Sequence, residues 1–89
     1  MPQVFTASPN PVEPGKEVTI CVSPPPASGT FVWADVTFAG ENFETGMGLR
    51  LTPLQPCITV MTPVDFITGW VTDLANPPVI QQLVISRTV

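Results

Sequence analysis

The sequence predicts a single all-β domain over residues 1–89, a sandwich of about seven short strands. Twelve prolines divide the 89 residues into short segments, and proline can neither donate to a β-ladder nor continue a helix. The segments between the prolines are rich in Val, Ile, Thr, Phe and Trp, which are favoured in strands. Several of them alternate with a period of two; Val18, Ile20 and Val22, for example, share one face of their segment. Short alternating segments separated by turn residues are typical of a β-sandwich.

Turn residues bound each of the first four predicted strands. Pro9 follows the first strand, and Pro14-Gly15 forms a tight turn that leads into the second. Gly40 closes the third strand, and the polar residues 41–45 separate it from the fourth. The predicted strands cover residues 4–7, 17–23, 30–39, 46–52, 57–62, 67–73 and 79–86.

Residues 63–75 leave two alternatives open. Thr62 could cap a helix that begins at Pro63 and directs Ile67 and Trp70 to one face. The same segment contains several β-branched residues and a glycine, which are poor helix formers. A strand over residues 67–73 is therefore the prediction, with a helix as the alternative.

The composition predicts a protein that contacts other proteins. Apolar residues make up 44% of the chain and charged residues only 11%, against about a quarter in typical soluble domains. We expect part of the apolar surface to face another protein or a second copy. The three basic residues, Lys16, Arg50 and Arg87, are scattered among seven acidic ones, which argues against binding nucleic acid or an anionic membrane surface. The sequence has no uninterrupted apolar stretch of about 18 residues, so it predicts no transmembrane helix. The N-terminus lacks the pattern of a signal peptide.

The residue types argue against an active site. The chain has no histidine, which removes the commonest general base and metal ligand. The two cysteines match no zinc motif, and Gly46-Met47-Gly48 lacks the third glycine of a phosphate-binding loop. A non-enzymatic protein without cofactor or metal is predicted. Five carboxylates are expected to be solvated loop acids: Asp35, Glu41, Glu44, Asp65 and Asp73.

A family resemblance adds to this prediction. The opening hairpin of many bacterial and phage immunoglobulin-like modules resembles one segment of the chain, Pro14-Gly15-Lys16-Glu17-Val18-Thr19-Ile20-Cys21-Val22. Trp33 on the third predicted strand and Trp70-Val71-Thr72-Asp73 on the sixth are similar to the same pattern over most of the chain. The resemblance implies an immunoglobulin-like Greek-key sandwich with a structural or adhesive role, and it transfers no functional residues. The chain departs from the pattern in having no tyrosine for a tyrosine corner and in placing Cys57 on the fifth strand rather than the sixth.

The implied strand order predicts a disulfide between Cys21 and Cys57. In an immunoglobulin-like order the second and fifth strands are antiparallel neighbours, and the alternation places both cysteines on the face opposite the apolar residues. Two sulfurs on the same outer face can bond across the ladder. Free thiols in a reducing compartment are the alternative.

The same order predicts a contact surface. The third and sixth strands become neighbours, and burying an unpaired carboxylate is costly, so Asp35 and Thr37 mark the outer face of the third strand. The alternation then places Phe31 and Trp33 on that face, and Trp70 on the sixth strand joins them. The alternative is that Trp33 is the core tryptophan of an immunoglobulin-like sandwich.

The expected function is that of a structural interaction module. A virion decoration or tail protein, or a subunit of a surface assembly, would make protein contacts or self-assemble, and it would be found on a virion or in an extracellular or cell-surface location. The alternative is a small carbohydrate-binding or adhesin module whose exposed aromatic residues stack on sugar rings. One module of a longer adhesin is a third possibility.

Overall fold

The computed structural model describes residues 2–88, and within them the chain forms seven strands and no helix. The strands are β1 (Val4–Ser8), β2 (Glu17–Ser23), β3 (Val32–Ala39), β4 (Glu44–Leu51), β5 (Cys57–Met61), β6 (Thr68–Asp73) and β7 (Leu83–Ser86). Within that range there is no helix that could span a membrane. The prediction of an all-β protein is confirmed.

The strands form two antiparallel sheets. The smaller sheet has the order β1-β2-β5, and the larger has the order β4-β3-β6-β7. β2 pairs with β5 and β3 pairs with β6, the two neighbour relations that the family resemblance implies.

The core lies between the inner faces of the two sheets. Val18, Ile20 and Val22 of β2 are buried, as the alternation predicts. They belong to one apolar cluster with the inward residues of β3, which are Val32, Ala34, Val36 and Phe38. The Phe38 and Phe66 rings meet edge to face, with centroids 5.3 Å apart.

The segment over residues 63–75 contains a strand, so the helical alternative is wrong. Ile67 donates its backbone N–H to the Ala39 carbonyl at 2.7 Å, which starts the pairing of β6 with β3. Gly69 lies against the Phe38 ring, and a Cβ at this position would be 2.7 Å from the ring carbon Cδ1. The close approach of β6 to the core explains the glycine.

The third and seventh predicted strands begin two or more residues too early. In each case the backbone of the first predicted residues is hydrogen-bonded outside a ladder. The third strand starts at Val32 rather than at residue 30, since the N–H and hydroxyl of Thr30 both donate to the Ala27 carbonyl in a turn. The seventh starts at Leu83 rather than at residue 79. There the N–H groups of Val79 and Ile80 donate to a side chain, Asp73, instead of to a neighbouring strand.

The predicted disulfide between Cys21 and Cys57 is present. The two residues are directly opposite in the β2–β5 ladder, with Cα atoms 4.1 Å apart. On the same strand pair, the Thr19 and Thr59 hydroxyls are hydrogen-bonded at 2.9 Å. The bond lies on the outer face of the smaller sheet, as the alternation predicts.

Candidate functional site

The outer face of the larger sheet carries the three aromatic residues predicted as a contact surface. Burial alternates over the first five residues of β3, so that Trp33 points away from the core. Its side chain is 48% exposed, and that of Phe31, just before the strand, is 52% exposed. Trp33 is therefore a surface residue, and the alternative of a core tryptophan is wrong.

Phe31 and Trp33 form a cluster with a cation. Their rings meet edge to face, with centroids 6.2 Å apart. Arg50 of β4 is directly opposite Trp33 in the ladder, and its guanidinium carbon is 4.9 Å from the centre of the Phe31 ring. This distance is that of a cation–π contact. We call Phe31, Trp33 and Arg50 the aromatic cluster; sequence reasoning missed Arg50, whose place depends on the register of β3 and β4.

Trp70 lies on the same face but apart from the aromatic cluster. It is opposite Thr37, four residues along β3 from Trp33, which corresponds to about 13 Å at the usual rise of a strand. The structure thus brings together two of the three predicted contact residues and places the third farther along the sheet.

The surface between Trp33 and Trp70 is polar, with Asp35 half-buried and Thr37 buried. Asp35 accepts a hydrogen bond from the Thr37 hydroxyl at 2.8 Å. On the neighbouring strand, Gly48 is opposite Asp35 and Gly46 is opposite Thr37. A Cβ on Gly46 would be 3.5 Å from the Asp35 carboxylate oxygen Oδ1, so the carboxylate lies beside Gly46, where no side chain covers it.

A cleft of about 420 Å³ adjoins the aromatic cluster at one end of the sandwich. Phe31 and Trp33 form one wall, and the loop between β6 and β7 forms the other with the exposed side chains of Leu74 and Val79. The Leu74 N–H donates to the Trp33 carbonyl at 2.9 Å, which joins the two walls. The cleft is lined largely by apolar side chains.

Asp73 holds the loop wall of this cleft in place. Its carboxylate accepts backbone hydrogen bonds from Ala75 at 3.0 Å, Val79 at 2.8 Å and Ile80 at 2.9 Å. Burial by itself would raise the pKa of this carboxyl, but the three donors outweigh burial, and the pKa lies below its ordinary value.

The expectation that Asp73 is a solvated loop acid is therefore wrong. Asp73 is only 5% exposed, and its hydrogen bonds hold the loop of residues 74–80 in place. A recognisable signal was present, because aspartate at the start of an Asn- and Pro-rich turn commonly accepts a hydrogen bond from the backbone two residues on.

The acidic side chains do not gather into a site. In the part of the chain that the structure describes, no three His, Cys, Asp or Glu residues lie close enough together to hold a metal ion. The larger sheet instead offers aromatic surface, the Arg50 cation and the half-buried Asp35 carboxylate, which suit binding by stacking and hydrogen bonding.

No family model, curated protein or solved structure matches this chain.

Proposed function

We propose that this protein is a non-enzymatic interaction module with an immunoglobulin-like Greek-key topology. The pairings of β2 with β5 and of β3 with β6 support that topology, since an immunoglobulin-like order requires both. The role is that of a virion decoration or tail protein or of a surface-assembly subunit, in which the larger sheet contacts a protein partner.

The exposure of the aromatic cluster carries this proposal. Two large aromatic side chains at the end of the larger sheet remain about half exposed beside an apolar cleft. Aromatic and arginine side chains dominate the binding energy of protein interfaces, above all where a pocket adjoins them. A partner that covers Phe31, Trp33 and Leu74 would remove this apolar surface from water.

The disulfide supports a location outside the reducing cytosol. Disulfides form and persist in oxidising compartments and on the surfaces of virions and cells. Cys21 and Cys57 lie on the outer face of the smaller sheet, remote from the aromatic cluster, so their bond stabilises the module without lining the proposed contact surface.

A carbohydrate-binding function is the second candidate. The observation that favours it is the placement of Asp35 between Trp33 and Trp70 on one face. Aromatic rings can stack on the apolar faces of sugars, and an accessible carboxylate accepts hydrogen bonds from their hydroxyls.

Substitution of Trp33 by Ala tests the proposed contact surface. Because the ring is half exposed, we expect the melting temperature to change by no more than a few degrees. The protein should lose a partner that wild type retains, measured by affinity capture from the source organism and then by calorimetry with the purified partner. Met61→Ala is the matched control, because Met61 is an exposed apolar residue on the other sheet.

Three outcomes separate the candidates. A purified protein partner that binds wild type and Met61→Ala, but binds Trp33→Ala at least about tenfold more weakly, supports the protein-contact function. Retention on immobilised polysaccharide that is lost in both Trp33→Ala and Trp70→Ala supports the carbohydrate function. A large loss of stability in Trp33→Ala, with partner binding unchanged, contradicts both.

A further inference from the structure

The four edge strands of the two sheets differ in how they are protected. β1 and β5 have five residues each, and β7 has four. Pro9 follows β1, and Pro56 and Pro63 flank β5. β4 has eight residues, twice the length of β7, and Pro53 follows it by two residues as Pro63 follows β5. Short length is one of the features that keep an edge from pairing, and β4 lacks it.

The edge of β7 is covered by the chain itself. Asn10 accepts a hydrogen bond at its side-chain oxygen from the Ser86 N–H at 2.9 Å and donates its amide to the Val84 carbonyl at 3.1 Å. Val12 adds a backbone hydrogen bond to the Ser86 carbonyl at 3.0 Å. Within residues 2–88, β4 is thus the longest edge strand, and no hydrogen bond of the kind that covers β7 reaches its outer side.

The hydrogen bonds of β3 identify the backbone groups that β4 leaves free. The Trp33 and Ala39 carbonyls accept bonds from the β6 side, so the odd-numbered residues of β3 turn their backbone groups towards β6. Backbone direction alternates along an antiparallel strand. The even-numbered residues of β3 therefore face β4 and bond its odd-numbered residues, in agreement with the bond from Gly40 N–H to the Phe43 carbonyl. The free edge consists of the N–H and C=O groups of Glu44, Gly46, Gly48 and Arg50.

One antiparallel register pairs all of these groups with those of a second copy. It places Glu44 opposite the second copy's Arg50 and Gly46 opposite its Gly48, with a two-fold axis at Met47. Each of these pairs exchanges two backbone hydrogen bonds. Registers shifted by two residues in either direction shorten the ladder and place a charged residue opposite glycine.

The side chains of β4 complement each other in this register. Glu44 and Arg50 lie on the outer face, where a directly opposite pair of unlike charges stabilises a ladder. Met47, on the other face, is 39% exposed and would contact its symmetry mate on the axis.

We propose that this protein forms a two-fold symmetric dimer by antiparallel pairing of β4 with β4 of a second copy, with Glu44 opposite Arg50 in both directions. The dimer joins two four-stranded sheets into one sheet and closes without further growth, as isologous pairing requires. This inference rests on the proposed interaction function and names a second copy as one partner. The edge shares Arg50 with the aromatic cluster but does not include the exposed rings of Phe31 and Trp33.

Charge reversal tests the register. Sedimentation equilibrium of the full chain over a concentration series should show a monomer–dimer equilibrium for wild type. Glu44→Arg and Arg50→Glu each place like charges opposite each other twice in the dimer, so each should raise the dimer Kd by about tenfold or more. The double variant Glu44→Arg/Arg50→Glu restores unlike pairs and should return the Kd to within about threefold of wild type.

A pair of substitutions at one position tests the backbone pairing. Gly48→Pro removes an N–H that faces the free edge, so the fold should tolerate it while dimerisation is lost. Gly48→Ala keeps that N–H and places a methyl group in open space, so it should dimerise like wild type. Circular dichroism checks that each variant is folded; should Gly48→Pro fail to fold, the charge variants decide.

Two results would overturn the inference. One is a wild-type protein that stays monomeric at the highest concentration reached, in which case the β4 edge contacts a different partner or solvent. The other is a dimer whose Kd is unchanged by both single charge reversals. Trp33→Ala should dimerise like wild type, so failure of the proposed aromatic contact surface and failure of the β4 dimer are distinguishable.

Discussion

At the scale of single residues, Asp73 links the sequence most directly to the shape of the candidate site. Its carboxylate accepts three backbone hydrogen bonds from the loop that walls the cleft. Such bonds to an ionised group are stronger than bonds between neutral groups. The loop carries Leu74 and Val79, so the position of two exposed apolar side chains depends on one buried charge.

Asp73→Asn should destabilise the protein by about 2–4 kcal/mol at neutral pH. The amide keeps one acceptor oxygen but turns an NH2 group towards at least one backbone donor, which is left unsatisfied. Urea denaturation measures the difference. Asp65→Asn is the matched control, since Asp65 is an exposed acid in the preceding turn, and it should change stability by no more than about 0.5 kcal/mol.

The same substitution should alter the dependence of stability on pH. The pKa of Asp73 is lower in the folded protein than its ordinary value of 3.8, so the unfolded chain takes up the proton first as the pH falls. The stabilisation by the carboxylate is complete above about pH 5 and decreases as the pH falls towards the folded-state pKa. Wild type should lose more stability than Asp73→Asn between pH 5 and about pH 2, and equal losses would contradict the role given to the carboxylate.

At the scale of strands, the sequence predicts elements where side-chain alternation and turn residues agree. The second predicted strand has the bounds of β2, because Val18, Ile20 and Val22 alternate with polar residues after a Pro-Gly turn. The seventh fails at its start, because apolar residues after Asn76-Pro77-Pro78 resemble a strand while Asp73 binds their backbone. A side chain that replaces a strand as hydrogen-bond acceptor leaves no periodic signal in the sequence.

The exposure of two residues of the proposed contact surface could be predicted from the sequence. Alternation along β3 was enough to place Phe31 and Trp33 on the outer face, because the carboxylate of Asp35 marks that face. It could not reveal Arg50 or the loop wall of the cleft. Both depend on strand register and on tertiary hydrogen bonds between residues far apart in the chain.

The disulfide between β2 and β5 should supply much of the stability of so small a domain. Cys21 and Cys57 are 36 residues apart, and closing a loop of this length contributes about 3–4 kcal/mol in the chain-entropy model. The double variant Cys21→Ser/Cys57→Ser should lose about that amount in urea denaturation. The double variant Thr19→Val/Thr59→Val is the control on the same two strands, with an expected effect of no more than about 1 kcal/mol. Alkylation of two thiols in the unreduced, denatured protein would show that the bond does not form.

At the scale of the whole molecule, the proposed dimer places both aromatic clusters on one side of a continuous sheet. Glu44, Arg50 and Trp33 share the outer face in each copy, and residues paired across an antiparallel ladder point to the same side. A surface that displays repeated partner sites would therefore engage two clusters together, and the retention of the dimer would exceed that of one copy by avidity.

The two-fold axis of this dimer gives one residue a unique position. In the antiparallel register with Glu44 opposite Arg50, only Met47 is opposite itself, as a pair without mutual hydrogen bonds and with Cα atoms about 4.5 Å apart. That separation suits a disulfide, so Met47→Cys should form a covalent dimer under oxidising conditions while the bond between Cys21 and Cys57 stays intact.

Thr45→Cys is the control from the same strand and face. Residue 45 would be opposite Leu49 of the second copy, about 13 Å from its own symmetry mate, too far to bridge. Non-reducing gel electrophoresis and peptide mapping measure the products. Equal yields from the two variants would mean that the copies meet by random collision or in another register, since only the proposed axis distinguishes residue 47 from residue 45.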